Sequence, residues 1–496
     1  MAGSYGRPMK DLKDLKDALG RIVGPGHVTA SQDELAAYSH DATFFPGTAD
    51  LVVRPGTTNE VAEVVKAIAP TGLAIVARGA GTGLSGGAVP TQGGVVVSLE
   101  RLGRLEVDAP AMCVVAGAGV VTADLQKEAI RHGLMYPPDP GSLATCTIGG
   151  NVATNAGGPS CLKYGVTSDY VTGLVAVLAD GRIVTLGGKT RKRSAGYRLA
   201  QMFIGSEGTL GIVTEVTLKL IPFTRHRLAV LAYFSSTEGA ANAVAAMAAE
   251  GILPAACELI DESSLGFVRD LLPATVTSTT QALLLVEQDS NDEPSLELEM
   301  KAICKVLKGA GAEKVLVSGS ANEREALWRA RRAVGARLSE RRGFRIPEDI
   351  AVPIPLIPEM VRRIKRICAK HEVGIAIFGH AGDGNLHPSL IFEDRSPETL
   401  SAVADAAVEI MQEAISLGGT VSAEHGLGGM KNNIAANEMG EDQVEIMSAI
   451  KGLFDPGGIL NPGKVLPTSA DPRAHLLAAI SAWEEPAAPG PSEATE

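Results

Sequence analysis

Several things are scarce in this 496-residue sequence. Aromatic residues make up only 4% of it, too few for a surface that stacks on a run of bases or sugars. Basic residues are outnumbered, 45 Lys and Arg against 57 Asp and Glu. A net charge of −12 is the wrong sign for tracking nucleic acid or coating anionic lipid. No run of eighteen apolar residues occurs, and the start, MAGSYGRPMKDLKDLKDALG, has no apolar leader core, so neither membrane spanning nor secretion is expected. The reading is a cytoplasmic protein, with attachment to a membrane only through a partner. The six cysteines (Cys113, Cys146, Cys161, Cys257, Cys304, Cys368) include no C-x-x-C pair, which argues for buried thiols and against an iron–sulfur cluster on this chain.

What is present is a globular chain, 45% hydrophobic and 21% charged, of a length that suits about three folding units. From Leu51, LVVRPGTTNEVAEVVKAIAPTGLAIVARG reads strand, turn, helix, strand, with a Thr57-x-x-Glu60 capping box and an apolar stripe of Val61, Val64, Val65 and Ile68. Further strands are expected at Gly94–Leu99, Met112–Ala116 and Ile212–Leu220, a helix from Thr122 to His132, and an Asp-Gly hairpin in LVAVLADGRIVTLG. Beyond Pro222, strands such as HRLAVLAYF alternate with Ala-rich helices, a pattern that predicts a sheet covered by helices on one face. The expected organisation is a helical lead-in at 1–45, a first domain at 46–222, a second at 223–435, a C-terminal return at 436–470 and a disordered tail at 484–496. The class is α+β.

Glycine is abundant, 56 residues, and clustered. ARGAGTGLSGGA (77–88) contains G-x-G-x-x-G, but Pro90, Gly93 and Gly94 leave no helix to follow it, as a dinucleotide fold of the doubly wound type requires. A nest of backbone N–H groups that cradles an anion fits better. MYPPDPGSLATCTIGGNVATNAGGP (135–159) reads as a 25-residue polar loop, and such loops are usually functional. With GSEG (205–208), three loops of one domain could wrap one extended ligand.

These three runs, in this order and spacing, resemble the FAD-binding domain of the vanillyl-alcohol oxidase and p-cresol methylhydroxylase (PCMH) superfamily, and the second half resembles the FAD-linked oxidase C-terminal domain. The likeness runs from about Leu51 to Val465 and is strongest to the branch that holds the D-type chain of glycolate oxidase and D-lactate dehydrogenase. It implies a PCMH-type FAD-binding domain followed by a substrate (cap) domain. By this resemblance Arg78, Gly79, Ala80, Gly81, Thr82, Gly83, Ser85 and Gly86 cradle the FAD diphosphate. Pro138, Asp139, Gly141, Ser142, Thr147, Gly149, Gly150, Asn151, Asn155 and Gly157 line the isoalloxazine and ribityl chain. Glu207, Gly211 and Ile212 contact the adenosine end, and Asn461 in ILNPGK returns to the flavin. Thr82 stands where some members tether FAD through histidine, so non-covalent FAD is implied.

IFGHAGDGNLHP places His380 and His387 on either side of a tight turn between strand-like runs, and TVSAEHGLGG adds Glu424 and His425. Two His and a Glu make a sensible ligand set for Zn²⁺ or Mn²⁺ with an open position. The resemblance assigns His380, His387 and Glu424 as metal ligands and His425 as the base. It implies oxidation of a small D-2-hydroxy acid, D-lactate or glycolate, to the 2-oxo acid by hydride transfer to flavin N5. Coordination lowers the pKa of the hydroxyl, and a neutral imidazole then removes its proton. In REALWRARRAVGARLSERR, with seven arginines from Arg324 to Arg342, Arg331 stands where the family keeps its carboxylate-binding arginine.

Pro347 and Ser389 occupy places where D-2-hydroxyglutarate enzymes carry lysine and asparagine, which favours a monocarboxylate, with D-2-hydroxyglutarate as the alternative. Arg198, where relatives often carry Asp, has no assigned consequence. Competing readings are a metal hydrolase, a non-redox flavoprotein like alkyl-dihydroxyacetonephosphate synthase, and a subunit holding FAD as a scaffold. The electron acceptor leaves no motif: O₂, a quinone, a cytochrome, an electron-transfer flavoprotein and an iron–sulfur partner subunit all remain open.

Overall fold

The computed structural model describes residues 9–482 except 44, 274, 277–278 and 341–343. The predicted tail at 484–496 and the first eight residues of the lead-in lie outside the described residues. Within the lead-in, helix Met9–Val23 packs Leu15, Leu19 and Val23 against the first domain.

The first domain holds two sheets. In the smaller, strands Leu51–Val53, Val95–Ser98 and Ile75–Arg78 run parallel, extended antiparallel by Val28–Thr29. The strand–helix–strand unit expected from Leu51 forms, but Val95–Ser98 inserts between its two strands. Helix Thr58–Ile68 is capped by the Thr57 hydroxyl, which accepts from Glu60 N–H at 3.1 Å. The Glu60 carboxylate closes the box one residue early, on Gly56 N–H at 2.7 Å. The larger sheet is antiparallel, in the order Leu105–Asp108, Cys113–Gly117, Ile212–Lys219, Val171–Val177, Ile183–Gly187. The last two strands form the hairpin that Asp180-Gly181 signals.

The second glycine-rich segment is not one loop. Ile148–Thr154 is a helix, capped by the Thr147 hydroxyl, and Cys161–Tyr164 is a second short turn of helix. Two adjacent glycines hid the first of these, since glycine is a poor helix former. It forms because Ile148 and Val152, four apart on one face, are both buried in the core of the larger sheet.

The second domain is built on an antiparallel sheet in the order Lys314–Val317, His226–Phe234, Ala282–Ser290, Ala256–Asp261, Gly374–Gly379, Asn385–Phe392, Phe344–Pro347. Helices Thr237–Ala249, Glu293–Gly309, Ile357–Lys370 and Pro397–Ser416 cover one face. The expectation of one covered face is corrected: helices Glu262–Val268 and Ala321–Glu340 bury Leu265, Trp328, Val334 and Leu338 against the other. Ala282–Asp289 is buried throughout rather than at alternate positions, the pattern of a strand with both faces packed. This second layer carries the arginine-rich helix to the edge of the cavity described next.

After helix Asn432–Phe454 the chain returns to the first domain. Ile75 N–H donates to Ile459 O at 2.7 Å and Asn461 N–H to Ile75 O at 2.8 Å. Among the described residues no helix is long and apolar enough to cross a membrane.

Candidate active site

A cavity of about 900 Å³ lies between the two domains, large enough for an extended cofactor and a small substrate. Of the residues expected to hold a cofactor, Arg78 to Gly83 and Ser85 line it, as do Asp139, Gly141, Ser142, Thr147, Gly149, Gly150, Asn151, Gly157, Glu207 and Gly211. The first loop follows strand Ile75–Arg78, with no helix after it. A side chain at Gly79 would collide with the Thr147 hydroxyl, so the first and second loops interlock through bare backbone. A Cβ on Gly157 would stand 2.9 Å from Glu424 Oε2, which brings the same loop against the second domain.

Five expected residues stand behind this lining. Gly86 packs on Phe45, the Pro138 carbonyl accepts from Gln126, and Asn155 accepts from Ser168 N–H. Ile212 is in the core. Asn461 ties the wall together, its Nδ2 donating to Gly87 O at 2.8 Å and Glu207 O at 2.6 Å. Glu207 lines the cavity, yet its carboxylate accepts from Leu427 and Gly428 N–H at 2.8 and 3.0 Å, holding the second domain's glycine turn. Glu207 and Asn461 both adopt positive φ, 50° and 42°, a conformation kept where surrounding contacts over-determine it.

The second domain supplies the far wall. Strands Gly374–Gly379 and Asn385–Phe392 form the hairpin predicted around the A-G-D-G-N turn, which places His380 and His387 with ring centroids 5.1 Å apart. His425 stacks on His387, also at 5.1 Å. Three imidazole nitrogens converge on one carboxylate oxygen: Glu424 Oε1 is 3.3 Å from His380 Nε2, 3.4 Å from His387 Nε2 and 3.8 Å from His425 Nε2. One ligand atom from each of His380, His387 and Glu424 lies within 4.8 Å of the others. All three side chains are nearly buried.

Behind this cluster lie two carboxylates that sequence reasoning did not single out. Fully buried Glu258, on strand Ala256–Asp261, contacts His380 Nδ1 at 2.7 Å through one oxygen and Arg331 at 2.6 Å through the other. Fully buried Asp349 holds the Glu424 turn. Its Oδ2 accepts from the backbone N–H groups of Ala423, Glu424 and His425, each at 2.9 Å, and its Oδ1 accepts from Asn385 at 2.8 Å. Its oxygens also face His387 Nδ1 at 3.6 Å and His425 Nδ1 at 3.9 Å. Each histidine thus turns one nitrogen to the cluster and the other to a buried acid, the arrangement that orients metal-binding imidazoles. The one visible signal was the adjacent acids Glu348-Asp349 beside a strand. Glu348 forms a buried pair with Lys431 at 3.0 Å.

Burial works against the charged form of His380, but Glu258 and Glu424 outweigh it and hold its pKa well above the usual histidine value. For Glu424 burial is likewise outweighed by His380 and His387, and its carboxyl stays well below the ordinary range. Burial and the neighbouring His387 push His425 down, towards the neutral imidazole, against the pull of Asp349. The donor set of two imidazoles and one carboxylate, braced from behind, fits a divalent ion. The interlocked bare-backbone loops fit an extended anionic cofactor. Arg331 lines the same cavity, its guanidinium 5.1 Å over the Phe378 ring.

Residues 49–187 match the family described as FAD binding domain, and residues 224–465 match FAD linked oxidases, C-terminal domain. Glycolate oxidase subunit GlcD of Bacillus subtilis is 39% identical over 463 residues, covering 93% of this chain and 98% of that protein. A D-lactate dehydrogenase of Archaeoglobus fulgidus is 38% identical, covering 84% and 91%. A D-2-hydroxyglutarate dehydrogenase of Stutzerimonas stutzeri is 32% identical, covering 91% and 98%. Among solved structures, p-cresol methylhydroxylase with substrate bound superposes with a TM-score of 0.78 at 16% identity, covering 93% of this chain and 98% of the other, a likeness of fold. The chain belongs to the FAD-linked oxidases, with an FAD-binding domain followed by the FAD-linked oxidase C-terminal domain in a PCMH-type fold.

Proposed function

We propose that this FAD-linked 2-hydroxy-acid dehydrogenase oxidises a D-2-hydroxy acid to the 2-oxo acid at a divalent metal, Zn²⁺ or Mn²⁺, held by His380, His387 and Glu424. D-lactate and glycolate are the smallest substrates the chemistry accepts. The observation that carries the reading is the convergence of the three imidazoles on Glu424 in the cavity that the glycine loops also line. When bound, FAD supplies the two-electron acceptor and the ion the Lewis acidity that makes an alcohol proton removable near neutral pH.

The residues of the chain do the rest. His425, beside the ligand cluster and oriented by Asp349, takes the hydroxyl proton on Nε2. Arg331 holds the substrate carboxylate, its fork fixed by Glu258 from below and Phe378 from the side. The interlocked loops hold FAD without a covalent bond and, with the second domain, keep bulk water from the reacting carbon. Electrons leave to an acceptor outside this chain: an iron–sulfur partner subunit, a quinone or an electron-transfer flavoprotein.

The test is turnover with an artificial electron acceptor before and after chelation. Activity on D-lactate or glycolate that chelation abolishes and Zn²⁺ or Mn²⁺ restores supports the reading. Turnover untouched by exhaustive metal removal contradicts the metal's part in it.

A further inference from the structure

On the second-domain side, five arginines line the cavity: Arg227, Arg324, Arg331, Arg332 and Arg345. Four of them have an acidic partner: Arg227 and Arg324 face Glu287, Arg331 faces Glu258 and Arg332 faces Glu325. Arg345 differs. Among the described residues no carboxylate lies within ion-pair distance of it, and the one hydrogen bond of its guanidinium there is from Nη1 to the Gly335 carbonyl at 3.2 Å. It is half-buried, and burial alone pushes its pKa down to about 10. A guanidinium held out of water without a counter-charge is unfavourable unless an anion joins it.

Its position says which anion. Gly335 stands four residues after Arg331 on helix Ala321–Glu340, one turn of about 5.4 Å. The head of Arg345 therefore sits about one turn beyond Arg331 along the same wall. On the sheet, Arg345 pairs with Ile391, four residues along the strand from His387, about 13 Å. Glu258 links Arg331 directly to His380. Metal cluster, Arg331 and Arg345 thus follow one another outward along the cavity.

We propose that Arg345 is a specificity-determining residue that receives a second anionic group of the substrate, extending the enzyme's range to 2-hydroxy acids with a distal carboxylate. The inference rests on the dehydrogenase reading above. The hydroxyl and C1 carboxylate occupy the cluster and Arg331, and a short carbon chain carries the second carboxylate to Arg345. Such a substrate supplies the missing counter-charge, which a monocarboxylate cannot do.

The experiment compares D-2-hydroxyglutarate and D-malate with D-lactate and glycolate on the FAD-loaded, metal-loaded full chain, in the wild type, Arg345→Met and Arg345→Lys. The wild type oxidises a dicarboxylate. Arg345→Met lowers the ratio of kcat/KM for dicarboxylate over monocarboxylate by about 30-fold or more, chiefly through KM, and Arg345→Lys recovers part of it. As a second measurement on the wild type, glutarate, which has no hydroxyl to oxidise, inhibits more tightly than butyrate. That comparison decides the matter if Arg345→Met fails to retain flavin. An unchanged ratio in Arg345→Met overturns the proposal. So does a wild type that oxidises D-lactate or glycolate, refuses both dicarboxylates and binds glutarate no better than butyrate. If no 2-hydroxy acid reduces the flavin, the dehydrogenase reading itself fails and this inference falls with it.

Discussion

Glu258 and Asp349 hold the other side chains of the site in place from behind. Glu258 grips His380 with one oxygen and Arg331 with the other, so the proposed metal ligand and the proposed carboxylate anchor share one support. Glu258→Gln is therefore expected to weaken metal retention by about 10- to 100-fold, read by chelator competition against metal content, and to raise KM for the hydroxy acid as Arg331 loosens. Unchanged metal affinity would show that Glu258 acts on neither. Asp349 accepts three consecutive backbone N–H groups, and Asp349→Ala leaves them buried without a partner. A loss of about 3 kcal/mol or more is expected in denaturant unfolding, and a loss below about 1 kcal/mol would contradict the clamp. Asp349 left only the faint signal of two adjacent acids, and the role of Glu258 left none. Glu258 lies in an ordinary strand, ACELID, and its partners are 73 and 122 residues away.

At the scale of elements, the two domains are latched by helix Cys161–Tyr164 on one side and the end of strand Ala282–Ser290 on the other. Lys163 Nζ and Tyr164 Oη reach Asp289 at 2.6 and 2.7 Å, and the Thr224 hydroxyl joins at 2.7 Å. Burial would raise the Asp289 pKa, but these donors outweigh it and lower it. A carboxylate depressed in this way contributes stability above its ordinary value, about 3.9, and loses it as pH falls through the lowered value. Asp289→Asn should lower the melting temperature near neutral pH and narrow its gap to the wild type below about pH 4. A gap independent of pH would contradict the ionic latch. The helices here were hard to read because neither short segment rests on propensity: IGGNVAT is fixed by burial and the Thr147 cap, and CLKY by the contacts of Lys163 and Tyr164 with Asp289 across the domains. The hairpin of His380 and His387 was legible because apolar strand-like runs on both sides of A-G-D-G-N leave little else to form.

For the molecule as a whole, three glycine-rich runs in order carried the resemblance to the FAD-linked oxidases, and that resemblance implied a flavin domain followed by a cap for which a metal site remains a proposal. The second helical layer of the cap was missed because a strand buried on both faces reads only as apolar. That layer lines the cavity with residues of helix Ala321–Glu340, a wall that the sequence, judged at Pro347 and Ser389 alone, did not bring into view. The central claim is that one cavity brings FAD and a metal-bound 2-hydroxy acid together. Its most direct test is an anaerobic visible spectrum of the purified protein, taken before and after adding D-lactate, glycolate or D-2-hydroxyglutarate, with and without prior chelation. The account predicts a yellow protein whose oxidised-flavin band bleaches with at least one of these acids and stays unchanged after chelation. A protein that takes up no FAD, or whose flavin none of them reduces, would contradict it.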